Sequence, residues 1–152
     1  MTNKLLILIL SSIFIFSCDY EPIYSKKREA NFSIEKLSFE GNREINNYIN
    51  QRLNKYKDTE AEKKISIKTI SSYSKQSQSK NTSGTTTRYN LEASVDFIIT
   101  TENSTSNINI IKDFIMNNLD DEFEEKKYED TIKDNLSESI VNELLLYLPR
   151  IK

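Results

Sequence analysis

The sequence predicts an α+β fold: a two-layer sandwich of order β-α-β-β-β-α, in which a four-stranded sheet carries two helices on one face. Three observations support this. Residues 89–99 alternate between apolar and polar side chains, the pattern of a strand buried on one side. Residues 120–147 repeat apolar side chains mostly four residues apart, the stripe of an amphipathic helix. The last three strand-like segments follow one another through links without a helical pattern, which antiparallel neighbours permit.

The elements follow in chain order. Phe32 and Ile34, then Leu37 and Phe39, form a strand whose alternation shifts phase once, so a bulge or bend is expected near Glu35-Lys36. Gly41-Asn42 offers a turn and a helix N-cap, and Ile45, Tyr48, Ile49, Leu53 and Tyr56 give a helix over 43–56. Residues 57–64 form a charged linker, and Lys64 to Tyr73 reads as the second strand through Ile65, Ile67 and Ile70. Ser74 to Thr87 holds no hydrophobic residue and is expected to be a solvated hairpin tip. In the third strand Tyr89, Leu91, Ala93, Val95, Phe97 and Ile99 share one face, and Asn90, Glu92, Ser94 and Asp96 the other. After a turn near Glu102–Asn107, a fourth strand over 108–116 places Ile108, Ile110, Phe114 and Met116 on one side, with Lys112 among them. Asp120 to Tyr147 is the long helix, with Phe123, Tyr128, Ile132, Leu136, Ile140, Leu144 and Leu148 as its stripe and Pro149 closing it. Two helices cover one sheet face, so the other is expected to be free for a partner.

Composition narrows the chemistry. The 152 residues suit a single domain, expected over 30–152. Lys plus Arg is 21 against 23 Asp plus Glu, a formal charge of −2, so no basic surface is offered to phosphates and nucleic acid is not expected as a partner. There is no histidine, which excludes His-based triads, imidazole metal sites and histidine pH switches. With two glycines there is no phosphate-cradling loop, and no metal-ligand spacing occurs. No enzyme activity, metal or cofactor is expected. The acidic run from Asp120 to Asp130 falls at a helix start and interleaves with Lys126 and Lys127, so it reads as a solvated, dipole-favoured face.

The N-terminus carries the sharpest signal. Lys4 is followed by an apolar run, Leu5 to Phe16, that is too short for the roughly 20 residues a spanning helix needs and fits a signal peptide over residues 1–17. The run ends in Ile15-Phe16-Ser17-Cys18, which resembles a lipobox. A thiol is the group that can be alkylated, and a small residue before it lets a peptidase reach the bond. Cys18 is therefore the expected lipidation site, acylated with palmitate-like chains, and residues 18–29 a tether. A lone cysteine in an exported protein has no internal disulfide partner, and lipidation resolves that.

On the hairpin between the second and third strands, Lys75, Lys80 and Arg88 are spaced among hydroxyls. Such cations suit the phosphates of an anionic glycolipid, although ordinary loops carry cations too.

Taken with the order of elements, Cys18, Tyr20, Pro22, Ile23 and Tyr24 resemble the mature start of the lipopolysaccharide-assembly lipoproteins, the LptE family, in its alphaproteobacterial branch. Asp19 departs from the small residue common there. The resemblance implies a two-layer sandwich that plugs, and helps assemble, an outer-membrane β-barrel partner of the LptD type, and assists insertion of lipopolysaccharide into the outer leaflet. It also implies an outer-membrane, lipid-anchored location facing the periplasm or the barrel lumen. The alternative is a free-standing periplasmic lipoprotein that binds a small ligand or tethers another envelope complex.

Overall fold

The computed structural model describes residues 32–57 and 61–151. The expected signal peptide, Cys18 and the tether lie outside the described residues. The chain runs β1 (Phe32–Gly41), α1 (Arg43–Leu53), β2 (Lys63–Lys80), β3 (Thr86–Thr100), β4 (Thr105–Asn117) and α2 (Glu122–Tyr147), with short 3-10 turns after each helix at Asn54–Tyr56 and Leu148–Arg150. This is the expected β-α-β-β-β-α order. The sheet order is β1-β2-β3-β4; β1 and β2 are parallel, joined by the α1 crossover, and the other two pairs are antiparallel.

The phase shift in the first strand is a bulge. Register with β2 slips between Ile34 and Lys36, leaving Glu35 as the extra residue. That insertion lets Phe32 and Ile34 before it, and Leu37 and Phe39 after it, all turn toward the helices, where the first two are buried and the second two pack on the core. Across the sheet, Ile65 and Ile67 of β2 and Leu91, Val95, Phe97 and Ile99 of β3 meet Ile45, Ile49 and Leu53 of α1 and Ile140 and Leu144 of α2. Each such side chain, fully buried, contributes about 1.5–3 kcal/mol.

The join between β1 and α1 is set by Gly41, Asn42, Asn46 and Ser71. Gly41 adopts φ +93°, and a Cβ there would lie 1.9 Å from the Ser71 carbonyl oxygen, so only glycine lets the turn close against β2. Asn42 caps α1, its Oδ1 accepting from the Glu44 and Ile45 N–H groups at 3.1 Å each. Beneath the cap, the Ser71 hydroxyl donates to Asn46 Oδ1 at 2.8 Å, and Asn46 Nδ2 donates to the Glu40 carbonyl at 3.0 Å.

Several sequence expectations are corrected. The polar stretch after Tyr73 is strand, not loop: β2 continues to Lys80 and β3 starts at Thr86, so the tip is the short segment 81–85. The ladder carries the ribbon there, helped by hydroxyl pairs Ser77–Thr86 at 3.0 Å and Ser79–Thr87 at 2.9 Å and by β-branched threonines. Asn81 organises the tip, its Oδ1 accepting from the Ser83 and Thr85 N–H groups, with Gly84 at φ +85°. In β2 the helix-facing positions after Ile67 are Thr69 and Ser71, both buried, whereas Ile70 faces the other way and is exposed. The first helix gives way to a 3-10 turn at Asn54 rather than running to 56. Phe114, Phe123 and Tyr128 are 40 %, 74 % and 40 % exposed; the α2 stripe becomes buried only from Ile132, because the first turns of α2 sit over charged side chains rather than core.

Candidate functional site

Lys75, Lys80 and Arg88 do not form one cluster. Lys75 follows Tyr73 by two residues and so shares its helix-side face of β2, where its ammonium donates to Glu125 Oε1 at 2.8 Å and Glu129 Oε2 at 2.9 Å and lies 4.4 Å from the centre of the Tyr89 ring. Arg88 precedes Tyr89 and faces the opposite side, its Nε donating to the Ser79 hydroxyl at 3.2 Å. Lys80 ends β2 opposite Thr86. Among the described residues, neither Lys80 nor Arg88 is ion-paired, so these two are the hairpin cations left open to an anion.

The Lys75 contacts belong to a larger network. The Tyr73 hydroxyl donates to Glu129 Oε1 at 2.9 Å, and Lys133, on the next turn of α2, reaches Glu129 at 3.1 Å, Asp130 at 3.4 Å and Glu44 of α1 at 2.8 Å. Part of the acidic run thus faces inward, against the expectation of a solvated face. Burial alone would raise the Glu129 carboxyl, but bonds from Lys75, Tyr73 and Lys133 outweigh it and hold Glu129 below the usual carboxylate range. The bond from Lys75 does the same for Glu125. Burial opposes the charge on Lys133, yet its bonds to Glu44 and Glu129 push it up to about 12. Tyr73 is raised by burial and by the Glu129 carboxylate that accepts its hydrogen bond. The sequence signal that could have located this network is the i, i+4 repeat Glu125, Glu129, Lys133, which lines one face of a helix.

These charges join elements rather than offer reacting groups. The network ties α2 to α1 and to β2, and Arg52 of α1 adds a bond to Asp134 at 2.8 Å.

The second surface is the sheet face away from the helices. No element covers it among the described residues. It carries Glu40 paired with Lys68 at 2.7 Å, and Asn109 donating to Asp96 at 2.7 Å across strands. Ser, Asn and Gln side chains fill much of the rest, interrupted by Ile70, Ile98, Ile111 and Ile115. The face is mainly polar and rich in hydrogen-bonding groups.

No protein-family model matches the chain, nor does any curated protein sequence. Solved structures do. Rare lipoprotein B from Shewanella oneidensis superposes with a TM-score of 0.53 at 15% identity, over 72% of this chain and 93% of that one. A minor lipoprotein from Acinetobacter baumannii gives a TM-score of 0.50 at 14% identity, over 74% and 93%. At these identities the likeness is one of fold, and it spans nearly the full length of both neighbours.

Proposed function

We propose that this chain is an exported envelope lipoprotein, anchored through Cys18, that serves as a non-catalytic subunit of a lipopolysaccharide translocon. In this reading it plugs and helps assemble an outer-membrane β-barrel of the LptD type. The observation that carries the reading is the fold likeness to proteins named as bacterial lipoproteins, in a chain that independently begins with an apolar run ending in a lipobox-like Cys18. The open sheet face supports it physically. Barrel interiors are polar, so a plug must present hydrogen-bonding side chains rather than a greasy surface, and the Ser-, Asn- and Gln-rich face does so. Lys80 and Arg88, free of carboxylate partners among the described residues, are the cations best placed to meet glycolipid phosphates. Lys75 would have to leave Glu125 and Glu129 to do the same. Affinity purification from detergent-solubilised membranes tests the assembly: a stoichiometric large β-barrel protein is expected with the chain. Recovery of the chain alone would sink the plug reading and favour a free-standing periplasmic lipoprotein.

A further inference from the structure

Among the described residues, strand β4 is an open edge of the sheet. Its one neighbour there is β3, and the register between them runs without a bulge from Thr100 opposite Thr105 to Arg88 opposite Asn117. The phase of the ladder fixes which backbone groups are free. The Asn118 N–H donates to the Thr87 carbonyl and the Thr101 N–H to the Ser104 carbonyl, each at 2.9 Å. Even-numbered residues of β4 therefore bond to β3, and the odd-numbered ones, Asn107 to Ile115, direct their N–H and C=O groups outward. Edges are normally blunted by bulges, proline or unpaired lysine. Here there is no proline, and Lys112 is drawn to Glu143 at 2.6 Å. Ile111 and Ile115 stand 53 % and 46 % exposed on the outward-bonding residues.

We propose that this edge pairs with β4 of a second copy of the chain, antiparallel about a two-fold axis at Ile111. Ile111 is the midpoint of Thr105–Asn117, so this register uses the whole strand. It sets Ile111 against its own copy, Asn109 against Asp113 twice, and Ile108 against Phe114 on the helix side. Asn109 already bonds a carboxylate across a strand pair, Asp96, at 2.7 Å. An axis at Asp113 instead would oppose two like charges directly, which is destabilising. The result is an isologous contact that joins two four-stranded sheets into one. Both partners are this chain, so the inference goes beyond the translocon reading and does not depend on it.

Single-cysteine variants of the full chain in detergent test the register. In a hydrogen-bonded antiparallel pair the facing Cα atoms lie about 5.5 Å apart, within disulfide range. In a Cys18→Ser background, Ile111→Cys should give a disulfide-linked dimer at least tenfold faster than Ile98→Cys on the sheet face. Asn109→Cys and Asp113→Cys should each stay unlinked alone and link when mixed. Ile111→Pro removes only an outward N–H, so it should abolish the dimer in light scattering while the melting temperature stays near wild type. Equal linking of Ile111→Cys and Ile98→Cys, self-linking of Asp113→Cys as fast as Ile111→Cys, or a dimer that survives Ile111→Pro would each overturn the proposal.

Discussion

The Glu129 carboxylate accepts from Lys75 at 2.9 Å, on a strand more than fifty residues away in sequence, while its other oxygen accepts from the Tyr73 hydroxyl. These bonds make the α2 contact dependent on a charged glutamate. Glu129 and Glu125 both have folded pKa values below the ordinary 4.5, so the unfolded state binds their protons first as pH falls. The stability they contribute is complete above about pH 4.5 and is lost as pH drops through the folded values. Lys133, raised to about 12, gives the opposite sign: its contribution is complete below 10.5 and is lost as pH rises through 12. Thermal melts from pH 6 to pH 3 should therefore fall in wild type, and Glu129→Gln should melt lower at pH 6 with a shallower acid dependence. An identical acid slope in the variant would refute the coupling.

Thr69 offers a gain rather than a loss. Its hydroxyl is buried on the helix side of β2 and has no hydrogen-bond partner among the described residues. A buried, unsatisfied hydroxyl costs free energy that a methyl group of similar shape does not. Thr69→Val should stabilise the domain by about 1 kcal/mol in denaturant unfolding. A destabilised variant would mean that the hydroxyl has a bonding role.

The two faces of β3 differ in what they tolerate. Val95 is wholly buried, and Val95→Asp places an unpaired carboxylate in the core at a cost of several kcal/mol, on the order of the domain's stability. Asp96 is exposed and bonds Asn109 at 2.7 Å, so Asp96→Val should cost less than about 1 kcal/mol. Melting temperatures of the pair check the one-sided sheet, and equal losses would contradict it.

The hairpin cations separate by role. Replacing Lys80 and Arg88 with Ser should leave the melting temperature unchanged and weaken binding to lipopolysaccharide, with the difference shrinking as salt is raised. Lys75→Ser should behave differently. It releases Glu125 and Glu129 and the Tyr89 ring face, and should destabilise by about 1–2 kcal/mol. Undiminished glycolipid binding at low salt by the Lys80/Arg88 variant would reduce the hairpin to a structural ribbon.

Cys18→Ser tests the anchor. The variant should lose incorporation of a radiolabelled fatty acid and retain its apolar N-terminal run, so it migrates more slowly than the processed chain. Equal labelling of both proteins would remove the lipoprotein claim while leaving the fold untouched.

Local pattern alone determined much of this architecture. The alternation through Leu91, Val95 and Phe97, the stripe from Ile132 to Leu144, the Asn42 cap and the phase shift at Glu35 each depend on neighbours within a few residues, and each stands in the structure as read. Other features depended on contacts distant in sequence. Residues 74–80 and 86–87 lack apolar side chains, so periodicity had nothing to detect, and only pairing with the facing strand makes them a ribbon. Glu125, Glu129 and Lys75 look like solvated charges until α2 is laid across β2. Once the core fixes that crossing, carboxylates and ammonium meet within 3 Å and the low exposure strengthens their bonds. Whether a charge holds the fold or stays without an ion-pair partner among the described residues was therefore decided by packing, because hydrogen bonds act over a few ångströms in space and a sequence records separation only along the chain.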